Sequence, residues 1–276
     1  MIAFAYFGGK QQLLKQLLPI LPATSSYCEP FAGSAAVLIN RDASPIEVLN
    51  DLNGDIVNFF KVLRQDPEKL VYALNMTPYS LQEFNDAWEN TECPVENARR
   101  FYVRVQMDIA KAGARKDRSW STNRTYVNGN HSYCVKNFFK KQPGLLAVAD
   151  RLRNCQIDNR PALKCIEKFD SKDTLFYCDP PYMPKTRSSA NDYKFELNEE
   201  GHYTLSALLN KVKGKVALSG YDHPLMNEWY PAGQWHKTLF KSRRPSMSKG
   251  SGLVRQECLW TNYIPGHAVQ GRFFEK

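Results

Sequence analysis

The sequence TLFYCDPPY, residues 174–182, is a short apolar run followed by a carboxylate, two prolines and an aromatic ring. The apolar run predicts a buried strand over 174–178, and it must end there because two prolines cannot continue a β-ladder. Asp179, Pro180, Pro181 and Tyr182 then lie at the carboxyl end of a strand, where parallel sheets bind ligands. The alternative is that these four residues are only a turn.

Strand and helix patterns alternate on both sides of this stretch. Further strands are predicted near 26–30, 46–50, 156–157 and 215–219, and helices near 10–18, 34–40, 145–152, 162–169 and 202–213. This alternation predicts a mostly parallel α/β sheet with helices on both faces. Two last strands, at 234–240 and 256–262, predict a C-terminal antiparallel hairpin with a long connection.

Residues 55–148 interrupt the alternation between the second and third strands. Ser80-Leu-Gln-Glu83 is a capping-box pattern that begins a helix, and residues 95–112 form another helical stretch. A segment rich in Ser, Asn, Arg and Gly follows at 114–135. We therefore predict a discontinuous domain, residues 1–54 and 149–276, and an inserted helical domain, residues 55–148.

Composition excludes several classes of protein. The 276 residues are 43% hydrophobic, which is enough for a buried core. No apolar run approaches the roughly 20 residues that span a bilayer, and the N-terminus lacks a signal-peptide pattern. The seven cysteines and five histidines show no metal-ligand spacing. We expect a cytoplasmic protein without metal, disulfide framework or membrane association.

A second candidate site follows the first predicted strand. In Glu29-Pro-Phe-Ala-Gly33-Ser-Ala35, Gly33 allows the backbone to approach a ligand closely, and Asp51 lies 18 residues further on. A small-residue turn followed by an acid about 20 residues later is how α/β folds hold a nucleoside, with the acid on the ribose hydroxyls. Alternatively, Asp51 is the N-cap of the following helix.

Positive charge is concentrated in two segments. The chain carries a net charge of +9, and residues 111–141 contribute +7 while residues 241–255 contribute +5. Aromatic residues in the first segment can stack on bases while its cations bind phosphates: Trp120, Tyr126, Tyr133, Phe138 and Phe139. This pattern favours a nucleic acid over a membrane or an acidic protein. Solvated loops without a partner are the alternative.

Taken in order, these motifs resemble the Dam-type DNA adenine-N6 methyltransferases, which have the alpha-class motif order. The resemblance covers nearly the whole chain and rests on Ala5–Lys10, Glu29–Gly33, Asn50-Asp51, Ile157–Asn159, Phe176–Tyr182, Leu218–Tyr221 and Glu257–Tyr263. Tyr6–Lys10 is not a P-loop, because Phe4 and Gln11 stand where that motif needs Gly and Ser or Thr. Ala35 stands where the family usually has a second glycine, so we expect the next helix to start differently.

The resemblance implies a Rossmann-like methyltransferase sheet with an inserted target-recognition domain. The activity it implies is transfer of a methyl group from S-adenosylmethionine, without a metal, to the N6 amine of an adenine flipped out of double-stranded DNA. The catalytic residues would be Asp179, Pro180, Pro181 and Tyr182. The cofactor contacts would come from Tyr6, Phe7, Lys10, Phe31, Gly33, Asp51, Asn159 and Asp179. Such an enzyme is bacterial or phage-encoded, and we expect a monomer, or a dimer on DNA.

Two sets of DNA contacts are expected from the basic segments. The first set can read base edges and comprises Arg115, Arg118, Asn123, Arg124 and Tyr126. Arg243 and Arg244 lie in a Ser- and Gly-rich loop and are expected to contact phosphates. Other functions stay open at this point: an N4-cytosine methyltransferase, an RNA adenine methyltransferase, or a non-catalytic DNA-binding protein with a degenerate methyltransferase fold.

Overall fold

The computed structural model describes residues 1–6, 8–109, 119–123, 127–128, 131–183, 195–241 and 256–266. The strands in these ranges are β1 (Ser26–Glu29), β2 (Ile46–Asn50), β3 (Val127–Asn128), β4 (His131–Ser132), β5 (Cys155–Asp158), β6 (Thr174–Cys178), β7 (Lys215–Tyr221), β8 (His236–Leu239) and β9 (Glu257–Thr261). The α-helices are α1 (Leu14–Leu17), α2 (Gly54–Gln65), α3 (Pro67–Asn75), α4 (Leu81–Asp86), α5 (Pro94–Met107), α6 (Tyr133–Phe139), α7 (Leu145–Arg151), α8 (Ala162–Phe169), α9 (Glu199–Leu209) and α10 (Pro224–Trp229).

Seven strands form the main sheet, in the order β5-β2-β1-β6-β7-β9-β8. The five strands from β5 to β7 are parallel, and β9 pairs antiparallel with both β7 and β8. The predicted fold class is confirmed: a Rossmann-like α/β sheet, mostly parallel, with a C-terminal antiparallel hairpin. β3 and β4 pair separately as a two-stranded ribbon.

The central strands are buried on both faces, as expected of a parallel sheet covered by helices. Side chains of β6 alternate between two hydrophobic cores: Leu175 and Tyr177 face one, and Phe176 and Cys178 face the other. Successive side chains of a β-strand point to opposite faces of the sheet, so each core receives every second side chain of β6. The strand predicted from the apolar run at 174–178 is therefore a fully buried central strand.

The order in which strands are added to the sheet reverses between β1 and β6. β2 lies on one side of β1, whereas β6 and β7 extend the sheet on the other side. In open α/β sheets, ligands bind beyond the carboxyl ends of the strands at such a switch point. Both candidate motifs follow these strands: Glu29–Gly33 continues from β1, and Asp179–Tyr182 from β6.

The helical block from α2 to α7 packs directly on the sheet. α2 contacts β5 and α7, and Phe59 of α2 packs edge-on against Phe4 and stacks on Tyr102. One continuous hydrophobic core includes Tyr27 of β1 together with side chains of this block. The division into residues 1–54 with 149–276 and residues 55–148 stays a prediction. The predicted helix start is confirmed, since Ser80 is the N-cap of α4 and its hydroxyl accepts a hydrogen bond from the Glu83 amide at 3.1 Å. The Glu83 carboxylate pairs with Arg99 at 2.7 Å.

Two predicted helices differ from the structure. Residues 34–40 form successive turns rather than an α-helix, because Gly33 and Ala35 have φ angles of 50° and 52° in the left-handed region. At Ala35, where the family usually has a second glycine, we expected the helix to start differently; the structure instead has no α-helix over 34–40. α5 ends at Met107 instead of continuing to 112, since Asp108 is extended and bridges to Trp120. Among the described helices, none is long and apolar enough to cross a membrane.

Candidate active site

A cleft of about 280 Å³ opens at the carboxyl ends of β1 and β6. Its lining brings together the two motifs that the sequence separates by about 150 residues. The predicted site residues that line it are Tyr6, Lys10, Phe31, Gly33, Asp51, Asp179 and Pro181. The sheet therefore places the proposed nucleoside-binding turn and the proposed catalytic turn on a single cavity.

Asp51 holds the turn that follows β1. One carboxylate oxygen accepts a hydrogen bond from the Gly33 amide at 2.8 Å, and the other accepts from the Asn53 amide at 2.8 Å. Burial raises the pKa of Asp51, and these two amide hydrogen bonds oppose the shift. The N-cap of α2 is Asn53, whose side chain accepts from the Asp55 amide at 3.1 Å. The interpretation of Asp51 as the N-cap is therefore wrong.

Asn159 supports the same loop from β5. Its side-chain amide donates to the carbonyl of Asp51 at 2.7 Å and to the carbonyl of Leu52 at 3.2 Å. Asn159 is not among the residues that line the cleft. Its predicted direct contact with the cofactor stays a prediction, while the contact that the structure shows positions the Asp51 loop.

Asp179 belongs to a cluster of four ionisable side chains, with Lys10, Tyr182 and Glu257. The Lys10 ammonium is 2.7 Å from Asp179 Oδ1 and 3.4 Å from Glu257 Oε1. It also donates to the Gly8 carbonyl at 3.0 Å. The Tyr182 phenol donates to Glu257 Oε1 at 2.6 Å. Lys10 is therefore shared between two carboxylates, and one of these also holds the aromatic ring of the catalytic turn.

The electrostatics of this cluster follow from burial and charge. Burial raises the pKa of Asp179, and the charge and hydrogen bond of Lys10 oppose that shift. Burial alone would lower the pKa of Lys10, but Asp179 and Glu257 override it and hold that pKa well above its usual value. Burial raises the pKa of Tyr182 most, and the negative charges of Glu257 and Asp179 raise it further. At neutral pH the lysine is charged and the tyrosine is neutral.

The catalytic turn is held on two sides. The Tyr182 ring packs edge-on against Tyr221 of β7, with ring centroids 4.7 Å apart. The His202 ring nitrogen Nε2 lies 2.9 Å from the carbonyl oxygen of Pro181 and donates to it when protonated. Pro180, between Asp179 and Pro181 in the chain, is buried. The turn therefore presents Asp179 to the cleft from a fixed backbone.

Glu29 is a buried carboxyl group in the floor of the cleft. It accepts hydrogen bonds from the Tyr27 hydroxyl at 2.8 Å and the Leu38 amide at 2.6 Å. Burial raises its pKa to about 8 despite both hydrogen bonds, so the protonated form dominates at neutral pH.

This shift predicts how stability depends on pH. Because the folded-state pKa of Glu29 lies above its unfolded value of about 4.5, its contribution is fully present below that value and declines as the pH rises towards about 8. We expect Glu29→Gln to raise the melting temperature more at pH 8 than at pH 5.5. Thermal unfolding of the free protein at both values measures this, with exposed Glu167→Gln as control. An identical pH dependence for the wild type and Glu29→Gln would contradict it.

The predicted DNA contacts are mostly untested by the structure. Phe7 of the cofactor set, and Arg115, Arg118, Arg124, Tyr126, Arg243 and Arg244 of the DNA set, lie outside the described residues. Asn123 is described, and its side-chain oxygen accepts from the Ser132 hydroxyl at 2.8 Å.

The suggestion that Phe138 stacks on bases is wrong. Its side chain is 0% exposed and packs edge-on against Tyr79, with ring centroids 5.7 Å apart. Trp120 packs beside the same tyrosine. These two rings form part of the hydrophobic core because the segment folds back on α5.

Some residues of the site were not predicted from the sequence. Glu257 was recognised only as part of a similar strand, and Leu163 and Leu197 add apolar wall to the cleft. A carboxylate at the start of a C-terminal strand gives no local signal, since its proximity to Lys10 depends on β9 being inserted beside β7. The described residues contain no group of three or more potential metal ligands.

Comparison with known proteins agrees with this geometry. The model of the D12 class N6 adenine-specific DNA methyltransferases matches residues 6–239. A "DNA adenine methylase" of Salmonella typhi is 25% identical over 284 residues, covering 96% of both chains. A "DNA adenine methylase" of Escherichia coli (strain K12) is 24% identical over 282 residues, covering 94% of both.

A third relative is a longer phage protein, and the match covers only part of it. The "DNA N-6-adenine-methyltransferase" of Escherichia phage P1 is 26% identical over 264 residues, which are 90% of this chain and 33% of the phage protein. The resemblance that the motifs indicated is confirmed. Because the family match spans the sheet strands that carry both motifs, the chain belongs to the D12 class of N6 adenine-specific DNA methyltransferases.

Proposed function

We propose that the cleft binds S-adenosylmethionine and that Asp179 activates an adenine N6 amine beside it, in double-stranded DNA. Methylation of adenine N6 in DNA is the activity that the family and its named relatives support. The observation that carries the proposal is that Asp51 and Asp179 line the same cleft at the switch point of the sheet. The N4-cytosine and RNA alternatives are not favoured by the family match.

The residues of the cleft suit this donor. S-adenosylmethionine supplies, when bound, a methyl group on a positively charged sulfur. Three carboxylates line the cleft besides the protonated Glu29, namely Asp51, Asp179 and Glu196, against the single cation Lys10 among the described residues. An excess of negative charge favours a cationic ligand. Phe31 and Leu163 provide apolar surface for a base ring.

The catalytic turn would act on the amine by hydrogen bonding. An exocyclic adenine amine is a poor nucleophile because its lone pair is delocalised into the ring. The Asp179 carboxylate and the Pro180 carbonyl would accept hydrogen bonds from its two N–H groups, which concentrates the lone pair on nitrogen. Tyr182 would stack on the base. Rigid positioning and local electrostatics then provide the rate enhancement.

Substitution of Asp51 tests the proposed binding of the methyl donor. We expect Asp51→Ala to weaken binding of S-adenosylmethionine about tenfold or more, since the ribose loses an acceptor and the Gly33 turn loses its anchor. Ser80→Ala is the matched control: it removes the N-cap of α4 at a cost of about 1 kcal/mol of stability, and it should leave donor affinity unchanged because Ser80 does not line the cleft. Titration calorimetry with thermal melting separates the two effects. Equal donor affinity in Asp51→Ala and wild type would contradict the proposal.

Binding to DNA is proposed through the two basic segments, residues 111–141 and 241–255. Base-edge contacts are assigned to the first, with Arg115, Arg118, Asn123, Arg124 and Tyr126, and phosphate contacts to Arg243 and Arg244. The base must leave the duplex to reach Asp179, at a cost of a few kcal/mol. We place the reaction in the cytoplasm of a bacterial or phage-infected cell, because the named relatives come from bacteria and from a phage, and propose a monomer, or a dimer on DNA, as the acting form.

Transfer of an isotopically labelled methyl group tests the proposed function. The protein is incubated with labelled S-adenosylmethionine and either duplex DNA or RNA, and the digested nucleosides are identified by mass spectrometry. The proposal expects label in N6-methyladenine from DNA. Label in N4-methylcytosine, label only in RNA, or DNA binding without transfer would each overturn it.

A further inference from the structure

Glu257 is an acidic residue at the catalytic turn for which the proposed mechanism has no role. It begins β9, directly opposite Tyr221 in the antiparallel pairing with β7. Its Oε1 accepts the Tyr182 phenol at 2.6 Å and lies 3.4 Å from the Lys10 ammonium. Its side chain is 19% exposed, close to the 20% of Asp179. The two carboxylates therefore share one buried cation.

We infer that Glu257 is a positioning residue for methyl transfer, which leaves the catalytic cluster with a net negative charge and fixes the Tyr182 phenol. The inference rests on the proposed function, because it concerns the same reacting amine. Glu257 acts through Lys10 and Tyr182 and does not itself touch the base.

The charge balance shows why the residue matters. Asp179 and Lys10 alone form a neutral pair, whereas the addition of Glu257 gives the cluster a net charge of −1. In the transfer, the bond from N6 to the methyl carbon forms as the bond from that carbon to sulfur breaks. Positive charge passes from sulfur to N6, and N6 then loses a proton to solvent. A net negative cluster beside N6 stabilises the charge that develops there.

The hydrogen bonds of Lys10 and Tyr182 support the same positioning role for Glu257. Lys10 has three acceptors, Gly8, Asp179 and Glu257, so Asp179 does not have to neutralise the ammonium alone. The phenol of Tyr182 is tied to β9 while its ring rests edge-on against Tyr221 of β7. The antiparallel hairpin thus holds the aromatic ring that is proposed to stack on the base.

Glu257→Gln is the variant that separates charge from shape. The amide keeps an oxygen acceptor for the phenol and a similar side-chain volume, but it removes the negative charge. We expect kcat to fall about tenfold or more, with the KM values for DNA and S-adenosylmethionine changed less than about threefold. Glu228→Gln, an exposed position on α10, is the matched control and should leave all three values unchanged.

The pH dependence of kcat provides a readout that a merely structural role would not move. The groups acting on Asp179 are Lys10, Glu257, Tyr182, Tyr177 and Glu29. Both tyrosines stay neutral and Lys10 stays charged below pH 7, because burial raises the pKa of each tyrosine and the carboxylates raise that of Lys10. The charge of Glu257 raises the pKa of Asp179. In Glu257→Gln the acidic limb of the profile should therefore move to lower pH.

Two further variants keep the inference open to refutation. Glu257→Asp retains the charge and should keep a higher kcat than Glu257→Gln. In a Tyr182→Phe background, which removes the phenol, Glu257→Gln should still lower kcat, because the charge acts through Lys10. Equal kcat values for the Asp and Gln variants, or a wild-type kcat and an unmoved acidic limb in Glu257→Gln, would overturn the inference.

The wild type and Asp179→Ala are measured in the same assay. If the wild type transfers no methyl group to DNA adenine, the proposed function fails. If the wild type is active, Asp179→Ala is inactive and Glu257→Gln behaves as the wild type, only the role of Glu257 fails.

Discussion

Replacing Asp179 with alanine is expected to reduce methyl transfer at least about 100-fold while DNA affinity changes little. The carboxylate lies at the carboxyl end of β6 in the wall of the cleft, where it accepts a hydrogen bond from Lys10. In the proposed mechanism it binds the reacting amine and not the phosphates. A single lost hydrogen-bonding partner of the transition state typically costs 10²- to 10³-fold, which sets the size of the effect. Single-turnover methyl transfer and DNA binding by fluorescence anisotropy measure the two quantities.

A matched control is Asp150→Ala. Asp150 lies on α7 with 74% of its side chain exposed and pairs with Arg153, so its loss should leave the rate unchanged. An Asp179→Ala enzyme that keeps more than about a tenth of the wild-type rate would show that the carboxylate is not the acceptor for the amine.

Tyr182→Ala is expected to be nearly as damaging, because the base loses its stacking partner and Tyr221 loses the ring packed against it at 4.7 Å. Stacking of a base on an aromatic ring contributes about 1–3 kcal/mol, which corresponds to roughly 5- to 150-fold in rate. Tyr182→Phe keeps the ring and loses only the bond to Glu257, so it should keep far more activity. The methyl-transfer rates of Tyr182→Ala and Tyr182→Phe, measured in the same assay, test this prediction. Equal loss in both would assign the effect to the phenol instead of the ring.

The sequence was most informative where the chemistry of one residue controls the backbone. Two prolines after an apolar run placed the end of β6, and the spacing from Gly33 to Asp51 placed the acid that the structure shows bonded to the Gly33 amide. The antiparallel hairpin of β8 and β9 was also predicted. The end of β6 depends on adjacent residues, whereas the acid after Gly33 and the hairpin follow spacings that are typical of such folds, so sequence patterns are sufficient to find all three.

Features that depend on distant contacts could not be predicted. Residues 34–40, where we predicted a helix, form a series of turns because residues 33 and 35 adopt left-handed conformations. Asp51, 18 residues after Gly33, accepts a hydrogen bond from the Gly33 amide in this loop. Phe138 was assigned to bases from its basic neighbours, although it packs on Tyr79, 59 residues earlier in the chain. The contact of Glu257 with Lys10 joins the two ends of the sequence and required the strand order of the sheet.

We propose that the cleft between the turns after β1 and β6 holds the methyl donor beside Asp179. A crystal structure of the protein with S-adenosylhomocysteine, the product of the donor, tests it most directly. We expect electron density for the ligand in this cleft, with its ribose bonded to Asp51 and its sulfur on the side of Asp179. Density outside the cleft, or a ligand in the cleft that leaves Asp51 without contact, would contradict it.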